Sequence, residues 1–358
     1  MQKYIDLLTS LIAIPSFSRD EQAASNYLES WLQHEGLPVH RKGNNVWCEQ
    51  IREADDTRPT LLLNAHVDTV QPASGYTRNP FSAEIADGKI YGLGANDDGG
   101  SLIALLAVYE QLHNTPQPYH LIFSATAEEE VSGSGGLEMI LPDLGHIDFA
   151  IIGEPTAMQM AVAEKGLMVL DCTAHGRSGH AARNEGDNAL YHALNDVEWI
   201  KNYRFNKTSP FLGDVKMTVT QIQAGTQHNV IPDICTFVVD IRSNEMYSNA
   251  EILDIISANV KSDVKARSTR LNSSQLDINH PAVVRGKQLG LTCFGSPTTS
   301  NQAIVHFPTM KIGPGNSARS HTANEYISIS ELEQGIHLFN QLLNNLTFSN
   351  YETLGQRI

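Results

Sequence analysis

The chain has 358 residues, a formal net charge of -15 and a hydrophobic fraction of 41%. That length exceeds what one core usually organises, so two domains are expected, and the composition is that of a folded chain rather than a disordered one. The acidic balance argues against nucleic acid as a partner, because phosphate binding draws on Lys and Arg, and no apolar run approaches the roughly 18 residues of a membrane span.

Met1 to Ser16 holds one Lys and an apolar stretch broken by Asp6, Thr9 and Ser10, with no small-residue cleavage site after it. No secretory signal is expected there, and the cytoplasm is the default location. Helical spacing follows over 20–35 (Ala23, Ala24, Tyr27, Leu28, Trp31, Leu32) and stops at Gly36. Strands are expected at 46–51, 59–66, 120–127 and 149–153, with an apolar helix at 101–112 between the second and third. Buried strands alternating with apolar helices indicate an α/β domain with helices on both faces of its sheet. From 165 the order becomes strand 168–175, helix 188–203, strands 215–224 and 234–242, helix 249–260 and strand 264–270. This β-α-β-β-α-β sequence is the ferredoxin-like split arrangement of an α+β domain. Residues 275–358 return to the α/β style, with helices near 282–292 and 331–346, the latter opened by a capping box of Ser330 and Glu333. The expected organisation is a catalytic domain, 1–164 and 275–358, with 165–274 inserted. Cys48, Cys172, Cys235 and Cys293 lie far apart with no C-x-x-C pair, so any metal must be held by His and carboxylates.

Three polar clusters stand where apolar runs stop: His66-Val67-Asp68, Asp97-Asp98 and Glu128-Glu129-Glu130. Charges at the ends of buried strands are costly unless something pairs with them, and strand ends are where α/β sheets build sites. In H-x-D, His66 is a metal-ligand candidate and Asp68 can fix its tautomer. The run Gly92-Leu93-Gly94-Ala95-Asn96-Asp97 resembles a dinucleotide loop, but Asp97 stands where the third glycine belongs and would repel a pyrophosphate. A cation suits this loop better, with Asp97 able to bridge two metals. Within the glutamate run, one carboxylate can bind metal while a neighbour acts as general base, and residue chemistry alone does not separate Glu128 from Glu129. Glu154 closes a further strand before Pro155, and His321 lies in a glycine-rich loop. Each piece alone has a bland reading: a surface His, an N-capping Asp, a solvated acidic loop.

Together the ordered segments NAHVDTV, YGLGANDDGG, TAEEEVSGSG, IIGEPT, AHGRSGHAAR, GTQHNVIPD with VVDIR, and GPGNSARSHTANEYI resemble the zinc-dependent acetylornithine deacetylase / succinyl-diaminopimelate desuccinylase family, which also contains carboxypeptidases and aminopeptidases. The resemblance spans about residues 60–330. It implies a zinc-exopeptidase-like catalytic domain and two Zn2+ ions, with Co2+ or Mn2+ able to substitute. His66 and Glu154 would hold one ion, Glu130 and His321 the other, and Asp97 both. Glu129 would be the base and Asp68 the partner that orients His66; the family usually shows Asp-Glu-Glu where this chain has Glu-Glu-Glu. His180 matches the family histidine that reaches toward the oxyanion, often from the other subunit. Asn229 and Arg242 match substrate-holding positions, and Gly313 and Gly315 lie in the loop that presents amides to substrate. Many of the family's deacetylases have Ser-Asp-x-Arg where this chain has Ser300-Asn301-Gln302-Ala303, without the arginine. The implied activity is hydrolysis of a small N-acyl amino acid of the N-acetyl- or N-succinyl-ornithine or citrulline class, in arginine biosynthesis, by a homodimer joined through the inserted domain. The rival readings are a di- or tripeptide aminopeptidase or carboxypeptidase with the same cluster, a nucleotide-binding oxidoreductase, and a non-catalytic metal-binding protein.

Overall fold

Apolar runs at 60–66 and 120–126 are buried at every position, which requires cover on both faces, and they form neighbouring strands of one sheet. The computed structural model describes residues 1–50, 55–183 and 185–348. Two compact units emerge: the described residues of Met1–Val162, Gln275–Phe294 and from Ser300 onward form one, and those of Ala163–Ser274 with Gly295–Thr299 form the other.

In the first unit the sheet runs, edge inward, through Val39–Lys42, Asn45–Glu49, His120–Thr126, Thr60–His66, Phe149–Ile152 and Thr309–Lys311. The last four are parallel to one another, so their carboxyl ends lie along one side; in register, His66 pairs with Thr126, Asn64 with Ile152, and Ile152 with Lys311. The first two strands pair antiparallel, which makes the sheet mixed. Helix Gly99–His113 is buried almost all round, from Gly100 through Tyr109, as its uniform apolarity demands. Gln2–Ile12 is a further helix, burying Tyr4, Ile5, Leu7, Leu8 and Ile12 on one face, where the sequence reading placed only an interrupted apolar stretch.

Most expected elements appear with ends moved by one to three residues. The expected strand at 46–51 is Asn45–Glu49, and Ile51 lies outside the described residues. Three assignments change. The strand expected to reach 270 ends at Ala266, the helix expected near 282–292 is Pro281–Gln288, and the capping box of the last helix, Ile329–Leu343, is made by Ser328 and Glu331 rather than Ser330 and Glu333. Two S-x-x-E frames overlap in Ser328-Ile329-Ser330-Glu331-Leu332-Glu333, and only the earlier one coincides with the chain leaving strand Tyr326–Ser328.

The second unit is a four-stranded antiparallel sheet in the order Lys216–Ala224, Ile234–Ser243, Gly166–His175, Asp263–Ala266. Alternation along Gly166–His175 and Ile234–Ser243 sends Met168, Leu170, Cys172, Phe237, Val239 and Ile241 to one face, where helices Ala189–Asn202 and Asn249–Asn259 cover them. Residues Gly295–Thr299 join this unit through Lys165, whose N–H donates to the Ser296 carbonyl (3.0 Å) and whose carbonyl accepts from Thr299 Oγ1 (3.2 Å). Among the described residues no helix is long and apolar enough to cross a membrane.

Candidate metal centre

Three of the four parallel strands release a candidate ligand at their carboxyl ends. Thr60–His66 ends on His66, His120–Thr126 leads into Glu129 and Glu130, and Phe149–Ile152 leads through Gly153 to Glu154. Asp97 arrives from the turn after Lys89–Tyr91, and His321 from the loop after Thr309–Lys311. Gly94 enables that first turn with φ of +77°, in the left-handed region that favours glycine.

The seven residues expected at the centre and beside it meet. His66 Nε2 lies 3.3 Å from Asp97 Oδ1 and 3.9 Å from Glu129 Oε2. His321 Nε2 lies 3.0 Å from Glu130 Oε2 and 3.7 Å from Asp97 Oδ2. One ligand atom from each of His66, Asp97 and Glu130 falls within a 4.8 Å set, and so does one from each of His66, Glu129 and Glu154. Asp97 thus stands between the two histidines with a different oxygen toward each.

Glu128 takes a separate course. It adopts φ of +56°, and its carboxylate turns back to accept from the Gly135 N–H at 3.3 Å, with Arg19 Nε 3.9 Å away. The three consecutive glutamates therefore serve two directions, which separates Glu128 from Glu129 where residue chemistry did not.

Asp68 is buried but off the strand, because pairing ends at His66. Its backbone carbonyl, at 2.8 Å, accepts from His66 Nδ1, while its carboxylate oxygen is 3.5 Å from the same atom. The carboxylate mainly holds the glutamate loop: Oδ1 accepts from Glu129 N (3.0 Å), and Oδ2 accepts from Glu130 N (3.1 Å) and Ser18 Oγ (2.7 Å). Burial opposes its ionisation, but the bonds from His66, Ser18 and Glu129 outweigh that and keep its pKa below the ordinary value.

Like charges crowd the rest. Burial first, then Glu130, Asp68 and Asp97 against the opposing His66, lifts Glu129 to about 8. Burial, with Glu129 and Asp97 nearby, pushes Glu154 well above the usual carboxylate range. For His66 burial works against the charged ring, yet its bonds to Asp68 and Asp97 and the charge of Glu129 prevail and raise its pKa well above normal. Its Nδ1 faces a carbonyl that can only accept, so in the neutral ring the proton sits on Nδ1 and Nε2 turns a lone pair toward Asp97. Two acceptors facing each other at 3.3 Å need a proton or a cation between them. The donor set of imidazole and carboxylate, with surplus buried negative charge, fits divalent cations held by nitrogen and oxygen.

That electrostatic state predicts how pH acts on stability. Glu129, Glu154, His66 and His321, the last raised to about 9 by its bond to Glu130, all have pKa values above their unfolded ones. A group with a raised pKa contributes stability that is fully present below the unfolded value and is lost as pH rises through the folded value. For Glu129 the loss runs from 4.5 to about 8, and for His321 from 6.5 to about 9. Added cations replace the departing protons, so the Tm gain from Zn2+ is expected to be larger at about pH 8 than at about pH 5.5. Thermal melts followed by circular dichroism at both pH values check this; a gain that shrinks as pH rises contradicts it.

Sequence reasoning passed over Glu325. It is 2% exposed, and its carboxylate accepts from the main-chain N–H groups of Gly94, Asn96 and Asp97. The only local signal was an acid immediately before the apolar strand Tyr326–Ser328. Ser18, 50 positions from Asp68, left no signal at all. Asn96 pairs reciprocally with Asn316, donating to its carbonyl (3.1 Å) and accepting from its N–H (2.8 Å). In the glycine loop Gly313 donates its N–H to Thr156 Oγ1 (3.1 Å), so that amide faces protein. A Cβ on Gly315, at φ of +87°, would meet Asn96 Oδ1 at 2.5 Å. The Ser300–Ala303 segment turns inward: Asn301 Nδ2 donates to Asn64 Oδ1 (3.0 Å), and Gln302 Nε2 to Thr309 Oγ1 (2.9 Å). The N-cap of helix Gly99–His113 is Asp98, so an Asp of this segment does occupy the cap position, but its side chain makes no cap bond.

His180, Asn229 and Arg242 belong to the second unit. Gly179–His180 pairs with Val230–Ile231, and the Ala181 N–H donates to the Asn229 carbonyl (2.9 Å), which makes His180 and Asn229 neighbours. His180 Nδ1 accepts from the Ala182 N–H at 3.1 Å, so the neutral ring carries its proton on exposed Nε2. Arg242 donates from Nε and Nη2 to the two oxygens of Asp240, at 2.9 and 3.1 Å.

The family model described as Peptidase family M20/M25/M40 matches residues 62–345. The chain is 27% identical to an acetylornithine deacetylase of Proteus mirabilis (strain HI4320), the match covering 96% of each chain. It is 24% identical to a succinyl-diaminopimelate desuccinylase of Wolbachia pipientis wMel, over 95% of this chain and 92% of that one. Among solved structures, a tripeptidase from Staphylococcus aureus superposes with a TM-score of 0.75 at 21% identity, covering 96% of this chain and 97% of that chain. The converging His and carboxylate ligands and the match over most of the sequence lead to one conclusion: the chain belongs to peptidase family M20/M25/M40, whose members are metal-dependent hydrolases.

Proposed function

We propose that this hydrolase cleaves the amide of a small N-acyl amino acid, of the N-acetyl- or N-succinyl-ornithine or citrulline class, in arginine biosynthesis, at a centre of two Zn2+ ions. The observation that carries the reading is Asp97 between His66 and His321, with Glu130 and Glu154 beside them. His66 and Glu154 would hold one ion, Glu130 and His321 the other, and Asp97 both. When bound, the ions supply Lewis acidity toward water and the scissile carbonyl.

Glu129 takes the proton from attacking water and returns it to the leaving nitrogen, a role suited to a buried carboxylate whose pKa stands near neutrality. Asp68 holds the Glu129 and Glu130 amides and, through its carbonyl, the His66 ring. His180 donates from Nε2 to the developing oxyanion, and its bond from the Ala182 N–H supports that tautomer. Arg242, oriented by Asp240, pairs with the substrate carboxylate, and Asn229 is a second substrate-holding residue. We place a homodimer contact on the second unit, where the helix Ala189–Asn202 exposes Tyr191 (65%) and Leu194 (47%) and Lys216–Ala224 is an edge strand. Four free cysteines, three of them buried, suit the reducing cytoplasm.

The peptidase relatives favour a second reading, cleavage of short peptides, as does the inward-turned segment 300–303 that lacks an arginine. A panel of N-acetyl- and N-succinyl-ornithine and -citrulline against di- and tripeptides, with Zn2+-loaded enzyme, separates them. Turnover is expected on the acyl amino acids, with kcat/KM at least about tenfold above any peptide. A preference for peptides replaces the deacylase reading with the peptidase one.

A further inference from the structure

We infer that Glu325 is a positioning residue that sets the loop carrying Asp97, and with it the spacing of the metal centre. Its carboxylate is 2% exposed, beside a second acid, Asp97, a costly place for a charge with no task. Three main-chain donors converge on it: Asn96 N at 2.8 Å and Asp97 N at 2.9 Å to Oε1, and Gly94 N at 3.1 Å to Oε2. Amides of one turn closing on a single carboxylate make an anion-binding concavity, here filled by a side chain of the same protein. The bonded amides include that of Asp97 itself, so a shift of Glu325 moves the backbone from which the bridging candidate projects.

The opposite end of the residue is equally constrained. The Glu325 carbonyl accepts from the Gly92 N–H (3.0 Å), and the next residues form a strand whose Tyr326 pairs with Tyr91. Asn324, immediately before, accepts at Oδ1 from the N–H groups of Thr77 and Arg78, both at 3.0 Å. His321 lies four residues upstream on the same segment. Glu325 therefore ties the segment that presents His321 to the turn that presents Asp97, the pair whose side chains approach to 3.7 Å. Glutamate suits the position because the oxygens of an ionised carboxylate only accept, and all three groups facing it only donate.

The inference rests on Asp97 being a metal ligand, and the test keeps the two apart. Full-length wild type, Glu325→Gln, Glu325→Ala and Asp97→Ala are compared for Zn2+ affinity by chelator competition, for the visible spectrum of the Co2+ form, and for the melting of the metal-free protein. Glu325→Ala is expected to weaken Zn2+ binding about 10–100-fold and to alter the Co2+ spectrum, on the scale seen for residues that orient ligands. Glu325→Gln keeps one accepting oxygen but turns an NH2 toward a donor, and falls in between. It folds with the least disturbance and decides the matter if the alanine variant does not fold. Wild-type Zn2+ affinity and an unchanged Co2+ spectrum in Glu325→Gln, while Asp97→Ala loses metal, overturn the inference alone. So does a change confined to the melting of the metal-free protein. Wild-type affinity in Asp97→Ala overturns the metal assignment beneath it.

Discussion

Glu129→Ala is expected to lower turnover by about 10²–10⁴-fold while the protein keeps its metals. The side chain is 10% exposed and 3.9 Å from His66 Nε2, close enough to the ligand atoms to exchange a proton with water held among them. Its loss leaves His66, Asp97, Glu130, Glu154 and His321 in place, and the loop does not depend on it, because Asp68 holds the backbone N–H rather than the carboxylate. Removing one of several crowded negative charges also relieves repulsion among the others. Glu128→Ala is the internal comparison. That side chain turns to Gly135 and Arg19, so turnover is expected to remain within a few-fold of wild type, on the scale of a partly exposed position. Steady-state kinetics with metal analysis of the same preparations checks both. Normal activity in Glu129→Ala, or a larger loss in Glu128→Ala, refutes the assignment of the base.

Asp97→Ala is expected to lose metal and activity together, with an activity loss at least as large as that of Glu129→Ala. One Asp97 oxygen is 3.3 Å from His66 and the other 3.7 Å from His321, so this carboxylate is the shared element of both halves. Under the proposed assignment, losing it leaves His66 and Glu154 for one ion and Glu130 and His321 for the other, two donors each where zinc sites usually engage three or four protein ligands. Metal content after dialysis and kcat/KM with added Zn2+ are the measurements. Full metal retention with ordinary turnover contradicts the bridging assignment; metal loss restored at high Zn2+ with little activity agrees with it.

Parts of this arrangement were legible before any folding was considered. An acid or histidine after an apolar run is a local pattern, and it marked His66 and Glu154 because a strand must emerge at its end wherever the sheet lies, whereas Asp97 comes from a turn beyond its short strand. The β-α-β-β-α-β order from residue 165 likewise pointed to a second unit, because each change of element leaves a local signal, and its strands Gly166–His175 and Ile234–Ser243 alternate since helices cover one face. Assignments that needed a direction in space fared differently. Three identical glutamates are indistinguishable in composition, and only the positive φ at Glu128 sends it away from its neighbours. Asp68 was legible as a partner of His66, but not as the acceptor for the Glu129 and Glu130 amides, because that depends on two adjacent parallel strands ending together.

What the amino-acid order determined by itself is the inventory: which strands are buried, which acids follow them, and the absence of any thiolate pair, all consequences of hydrophobic periodicity and side-chain chemistry that need only neighbours in the chain. Tertiary structure decided which acids face one another. It brought His321 to Glu130 across 191 positions, and Glu325 to the Asp97 loop across 228. Those distances follow from parallel strand order and from the pairing of Tyr326 with Tyr91, non-local choices made by burial and backbone hydrogen bonding over the whole sheet.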